Sequence, residues 1–313
     1  MWSLGIYLLC LGATQAQEAL VLVGGKYPDG YLNTEVEVWS HSPDCRGVHI
    51  SNTPDAFADG PKVGVLDDNL YVCGGFRIGT NYNSDKCDIY SLTDNEWVEG
   101  PSLPFNRTDY DQPFFPGIAS TGTTIVAAYE QFSLGPPVFL SMFSETGWSV
   151  PVTVDTNLDK HFVDIVDLDE YHVILRSRCF GICPNETLFI VNYMTATVVG
   201  EIVTEYNCGK PFIYKNQYTC LKEVGDPQDY GPIMTLSYSQ DFTNPTWTPL
   251  PDLPEDFSCG EQAQYSLTEL DGMLTVFCPQ SARLIFLDGE EWKSGELEIP
   301  REYPGFVVIP CNT

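Results

Sequence analysis

Leu66–Pro104 reads LDDNLYVCGGFRIGTNYNSDKCDIYSLTDNEWVEGPSLP. Leu70-Tyr71-Val72-Cys73 is a short apolar run stopped by Gly74-Gly75, a pair that lets a strand end in backbone conformations a side chain disfavours. After a polar loop, Cys87-Asp88-Ile89-Tyr90 forms a second alternating segment. Thr93-Asp94-Asn95-Glu96 then reads as a turn, and Trp97-Val98 opens a third strand that ends at Pro101. This is a meander of short antiparallel strands. It cannot cover both of its faces alone, so it requires neighbours of the same construction.

Those neighbours are in the chain. Val21-Leu22-Val23-Gly24-Gly25 followed by Thr34–Trp39 repeats the first two strands of the unit. An apolar strand ending in a glycine pair, a long loop, an aromatic-ended strand and an exit rich in Trp and Pro together resemble the kelch repeat of β-propellers. Leu103-Pro104 with Arg107 three residues on resembles the exit between kelch units. The motif carries the resemblance in the first two units, about a third of the chain, and the period carries it beyond them. The aromatic expected to end the third strand falls at Trp39, Tyr90, Phe143, Tyr193, Tyr238 and Phe286, with gaps of 51, 53, 50, 45 and 48 residues. These match the ~50 residues of a kelch unit. A Trp follows in four units, as Tyr90/Trp97, Phe143/Trp148, Tyr238/Trp247 and Phe286/Trp292. The expected fold is all-β: a six-bladed kelch-type propeller.

In such a unit four strands are expected, the first innermost. Blade one starts with its second strand, Leu20–Gly25, and lacks a first. The segment Gly305–Ile309, bounded by Pro304 and Pro310, is the candidate to supply it and so to close the ring in one sheet. Blade two supplies Val63–Val65, Leu70–Gly75, Lys86–Tyr90 and Trp97–Glu99. Core strands of the later blades are expected at Thr124–Tyr129 and Val138–Phe143, and at His172–Arg176 and Leu188–Tyr193. Blade five takes Phe212–Tyr214, Tyr218–Leu221 and Ile233–Tyr238, and blade six Gln264–Leu267, Met273–Cys278 and Arg283–Leu287.

Residues 1–16 carry no charge and contain the apolar run Leu4–Leu11, too short to span a bilayer, before a small-residue end at Ala16. This is the pattern of a signal peptide and predicts secretion, with residues 17–313 as one propeller. Ten cysteines remain beyond Cys10, and an even number in an exported chain favours disulfides. Aligning blades one and two replaces Val23/Val36 by Cys73/Cys87, which argues for a pair. Cys73, Cys220 and Cys278 are equivalent, which favours Cys208–Cys220 and Cys259–Cys278. Cys179–Cys183 closes a short loop and leaves Cys45 with Cys311, although ten cysteines admit many other connectivities. Asn106-Arg107-Thr108 and Asn185-Glu186-Thr187 are glycan acceptor sequons, making Asn106 and Asn185 the predicted sites.

A net charge of −28, from 43 acidic and 15 basic residues, argues against nucleic acid and anionic membranes as partners. It suits an acidic protein kept soluble in extracellular fluid. The densest carboxylate group, Asp155, Asp159, Asp164, Asp167, Asp169 and Glu170, lacks the alternating spacing of a calcium loop. His41, His49, His161 and His172 form no metal-ligand pattern, and no nucleophile elbow or phosphate loop is readable. No metal or cofactor is expected. Galactose-oxidase-like proteins carry a propeller resembling this one with copper held by Tyr and His, but the histidines here match no such motif. Ser144-Glu145-Thr146-Gly147-Trp148 resembles a sialidase turn once, without repetition. A propeller enzyme and a structural matrix component stay open as alternatives.

The expected role is an interaction module. The loops between second and third strands, Lys26–Thr34, Arg77–Asp85, Glu130–Pro137, Cys179–Glu186, Lys222–Pro232 and Pro279–Ala282, gather on one face of a kelch-like ring. Tyr27, Tyr31, Arg77, Tyr82, Phe132 and Tyr230 lie in them, and aromatics with Arg on rigidly held loops suit recognition of a protein or glycan. The protein is expected to be a monomer with no membrane span.

Overall fold

The computed structural model describes residues 17–311, except 28, 43–44, 46–47, 56, 78–83, 105–112, 132–137, 145, 157–160, 179–185, 206, 224–229, 238–244, 258, 260–264 and 303. The chain begins with β1 (Glu18–Val23) and β2 (Val36–Trp39), followed by a short β3 (Phe57–Asp59). Blade two is β4 (Lys62–Leu66), β5 (Asn69–Cys73), β7 (Cys87–Ser91) and β8 (Glu96–Glu99). A short β6 (Phe76–Arg77) between β5 and β7 leaves that sheet to pair with β3. Blade three is β9 (Pro113–Ser120), β10 (Ile125–Gln131) and β11 (Val138–Ser144), with β12 (Gly147–Trp148) and β13 (Val152–Val154) both pairing β11. Blade four is β14 (His161–Asp167), β15 (His172–Arg178), β16 (Thr187–Asn192) and β17 (Thr197–Val203). Blade five is β18 (Cys208–Tyr214), β19 (Gln217–Glu223), β20 (Tyr230–Ser237) and β21 (Thr246–Pro249). Blade six is β22 (Ser266–Leu270), β23 (Met273–Cys278), β24 (Arg283–Asp288) and β25 (Glu291–Glu296). The last strand, β26 (Gly305–Pro310), returns to pair antiparallel with β1 from Glu18↔Pro310 to Val23↔Gly305. The fold is a six-bladed β-propeller.

The apolar runs have no solvent face because each sheet is covered on both sides. In β1, Ala19, Val21 and Val23 pack toward blade two while Leu20 and Leu22 pack toward blade six. In β16, Leu188 and Ile190 face blade five, and Phe189 and Val191 face blade three. Strand geometry alternates side chains between faces, so a strand buried on both reads as unbroken Val/Ile/Leu. The core is therefore six apolar clusters, one in each seam between consecutive blades. The inner strands β4, β9, β14, β18, β22 and β26 each touch the next around the circle.

The Trp of the repeat staples these seams. Trp97 donates its indole N–H to the Ser51 carbonyl (2.9 Å), Trp148 to Pro101 (3.1 Å) and Trp292 to Asp252 (2.9 Å). Each donor lies on an outer strand and each acceptor on the exit segment of the preceding blade. Among the described residues, four disulfides join Cys45–Cys311, Cys73–Cys87, Cys208–Cys220 and Cys259–Cys278. The first ties blade one to the end of β26, where the Cys311 N–H also donates to the Gln17 carbonyl at 2.8 Å.

Several expectations change. The described part of blade one holds three strands rather than four, and blade three has two short outer pieces where one was expected. The inner strand of blade six runs Ser266–Leu270, later than Gln264–Leu267, because its turn falls at Asp271-Gly272. Residues 1–16, Asn106, Asn185, Cys179, Cys183 and the aromatic Tyr238 lie outside the described residues. Among those described, no helix is long and apolar enough to cross a membrane, and no group of three or more His, Cys, Asp or Glu is arranged to hold a metal ion.

Asp167 ends the inner strand of blade four, open to water yet walled by protein, and desolvation pushes its carboxyl up to about 6. The ionised form is thus the one the fold disfavours. Stability should rise as pH falls through 6 and the gain should be complete near the unfolded value of 3.8. Because water reaches the group, Asp167→Asn should raise Tm at pH 7.5 by only roughly 1–3 °C, with the difference gone by about pH 4. Thermal unfolding of both proteins across this range checks the sign. The Cys45–Cys311 bond spans 266 residues. Replacing both cysteines by Ser should cost about 3–5 kcal/mol, read as a lower denaturant midpoint.

Candidate functional site

The loop between β1 and β2 of blade one belongs to the face where the inter-strand loops emerge. β1 ends at Val23 and the chain turns through Gly24 (φ 62°) and Gly25 (φ 96°), a region L side chains rarely adopt. Gly25 is required for a second reason, since a Cβ there would collide with the Glu302 carbonyl. The segment that crosses over it joins blade six to β26. Lys26 and Glu302 exchange backbone hydrogen bonds, N to O at 2.8 and 2.6 Å. Beyond them the chain makes a tight turn, with the Gly30 N–H donating to the Tyr27 carbonyl and the Tyr27 N–H to the Tyr31 carbonyl, both at 2.8 Å. Asp29 Oδ1 accepts from the Tyr31 N–H at 3.2 Å.

Arg301 locks the base of this loop from below. It is fully buried, and its Nη1 donates to the carbonyls of Leu22 (3.4 Å), Gly24 (3.3 Å) and Glu35 (3.1 Å). Its Nη2 reaches Glu37 Oε2 at 3.1 Å, and the other Glu37 oxygen accepts from the Glu298 N–H. Burial pulls the guanidinium below its ordinary pKa against the pull of Glu37, and burial raises the Glu37 carboxyl. Three carbonyls mark where the strands open into the loop, so one side chain fixes both ends of the loop and the segment crossing it.

A second buried arginine does the same between blades four and five. Arg176 Nη1 donates to Glu186 (3.0 Å) and to the Cys208 carbonyl, while Nη2 donates to Asp164 (2.9 Å). The Cys208 N–H returns to Glu186 Oε2 at 3.0 Å. Burial works against the charge, but Glu186 and Asp164 outweigh it and hold Arg176 above its usual value. Nε of Arg176 has no hydrogen-bond partner, but both Nη groups and both Glu186 oxygens are taken up within the cluster, which is the arrangement of a brace rather than of a reacting centre.

The sequence-derived loop residues separate. Tyr31 stands out at 73% exposure. Tyr27 is tied back, its hydroxyl donating to Glu35 Oε2 at 2.6 Å, a bond that raises its pKa. Arg77 belongs to β6 in the small ribbon with β3, where Phe57↔Arg77 pair, rather than to an open loop. Tyr230 begins β20 opposite Glu223, also inside a strand. The side chains of Arg77 and Tyr230, and all of Tyr82 and Phe132, lie outside the described residues. Of the charged residues that shape the face, Arg301, Glu37 and Arg176 were not singled out from sequence. Ile299-Pro300-Arg301 repeats the Leu-Pro exit with a following Arg seen at Leu103–Arg107, the one signal that points to it.

Residues 60–104 match the family model of the Kelch motif. The chain is thus a six-bladed β-propeller in which one blade matches the Kelch motif, and the motif and the ring together support a kelch-repeat propeller. No curated protein matches it. The match covers blade two from its inner strand to its exit, the stretch with both the glycine pair and the Trp. Kelch propellers are in general interaction modules, and a protein partner is the ordinary expectation for one.

Replacing Arg301 by Met leaves Glu37 buried and unpaired, so Arg301→Met should cost about 3–5 kcal/mol. Arg301→Met with Glu37→Leu should recover part of that loss. Urea unfolding of the two variants measures both.

Proposed function

We propose that this chain is exported, loses residues 1–16, and acts outside the cell as a binding propeller that captures a protein or glycan through the loop face. The observation that carries the reading is Tyr31: an aromatic held out into solvent by a loop whose base is fixed by Gly25, Glu302 and buried Arg301. A rigid loop presenting a large amphipathic ring loses little conformational entropy on binding, which is what recognition surfaces require. Four disulfides fit an oxidising compartment. The terminal nitrogens of both buried arginines are taken up by carbonyls and carboxylates of the fold, which supports binding over catalysis, since neither is positioned to contact a substrate. The partner is an extracellular protein or glycan, with a basic surface favoured by the net charge of −28.

The test is affinity capture from extracellular fluid and a glycan array, each with the intact chain, with Tyr31→Ala and with Tyr31→Ala/Tyr82→Ala. Capture should fall at least about tenfold in the single variant and vanish in the double one, while Tm moves by under about 1 °C. Undiminished capture, or loss of folding in the single variant, would refute the role of this face.

A further inference from the structure

Of the five blades whose outer strand lies among the described residues, blade four alone carries no Trp on it. The outer strands of blades two, three, five and six each carry Trp as their second residue, opposite the next-to-last residue of the third strand or its equivalent. The pairs are Tyr90↔Trp97, Phe143↔Trp148, Leu236↔Trp247 and Leu287↔Trp292. In blade four the same register, Val191↔Val198, puts a valine there. The exit of blade three, which by this register would receive the indole, is Val150–Val152. Val150 is 83% exposed, the highest value among the exposed large apolar side chains, and Val152 is 38% exposed.

The blade-four side of the seam is equally bare. A β-bulge between Ile190 and Val191 leaves Val199 out of the ladder, and Val199 and Val203 are 45% and 54% exposed. Both strips border one apolar cluster, to which blade three gives Leu140 and Val154 and blade four gives Phe189, Val191 and Val198. β17 ends its sheet, with no strand pairing beyond it among the described residues. Its sequence TVVGEIV has neither the Lys nor the Pro that commonly blunts a free edge. The polar neighbours on this rim are acidic: Asp155, Glu201 and Glu205 are exposed, and 147–156 and 193–207 contain no Lys, Arg or His.

We propose that the rim between blades three and four is a docking site for an extended, cationic polypeptide segment of another protein that carries a tryptophan. The indole takes the place that Val198 leaves short, against Val150, Val152 and the shared cluster. The segment's backbone adds to the edge of β17, and its positive charges meet Glu201, Glu205 and Asp155. Three other seams show the geometry the indole would adopt, lying across an outer strand with its N–H on the exit carbonyl of the preceding blade. This site lies on the circumference and is independent of the loop face.

The probe is a fluorescein-labelled nine-residue peptide of Lys and Thr with a central Trp, and a second peptide with Ala in its place. With the full chain, the Trp peptide should bind at least about tenfold more tightly than the Ala peptide by fluorescence anisotropy, and more weakly as salt rises. Val150→Lys should weaken it at least about tenfold with Tm unchanged, since that side chain touches little, whereas Tyr31→Ala should have no effect. Val198→Trp should block the site from within and abolish the difference between the peptides. Equal binding of the two peptides, or indifference to Val150→Lys, would overturn the proposal. So would a concentration-dependent dimer in sedimentation that Val150→Lys dissolves, because the occupant would then be a second copy of this chain.

Discussion

The structure depends on closing a circle of sheets whose two faces are both apolar. No blade has a solvent face on which it could stop, because alternate residues of its core strands feed different seams, as in β1 and β16. Leaving a single seam open would expose the six buried residues that join blades six and one, Leu20, Leu22, Leu270, Phe277, Leu284 and Leu297. At about 1.5–3 kcal/mol each, that loss is on the order of 10 kcal/mol, comparable to the whole net stability of a typical domain. The ring is therefore closed or it does not persist. The closing contacts are correspondingly dense: six residue pairs between β1 and β26, Phe306 set edge-on to Phe277 at 5.0 Å, and a disulfide just past the last strand.

Closure also explains why two arginines are buried at the loop face. Where strands diverge into loops, several carbonyls point inward without ladder partners, and an unpaired carbonyl in an apolar surround is costly. A guanidinium can satisfy several at once in a fixed plane, and a neighbouring carboxylate holds it charged. Arg301 does this at the seam where the chain ends meet, and Arg176 does it where blade four passes to blade five. The consequence for function is stiffness. A loop anchored in this way presents its tip without reorganising, and the tip of the first loop is Tyr31.

Much of this was legible in the amino-acid order because propeller physics repeats. Val21–Gly25 and Leu70–Gly75 announce the same strand and turn, and the evenly spaced aromatics mark third strands. The exchange of Val23/Val36 for Cys73/Cys87 reflects two residues that face each other across a ladder, as the register Cys73↔Cys87 displays. Contacts between distant residues left less trace. Nothing near Glu37 in the chain foretells a partner 264 positions away. Whether a loop tyrosine projects or folds back turns on one carboxylate, Glu35, eight residues from Tyr27. Arg77 and Tyr230 fall in segments expected as loops, whereas pairing with Phe57 and Glu223 extends strands through them.

The strand that completes blade one is made long after the strand it completes. β1 leaves the ribosome early, but its inner partner β26 follows more than 280 residues later. At common synthesis rates that gap lasts roughly 15–60 s. Throughout it, Leu20 and Leu22 have an unfilled side, so the nascent chain carries a sticky edge that a chaperone can hold. A ribosome that stops early yields a product without its final strand, and such a product announces its own incompleteness to whatever machinery inspects newly made proteins.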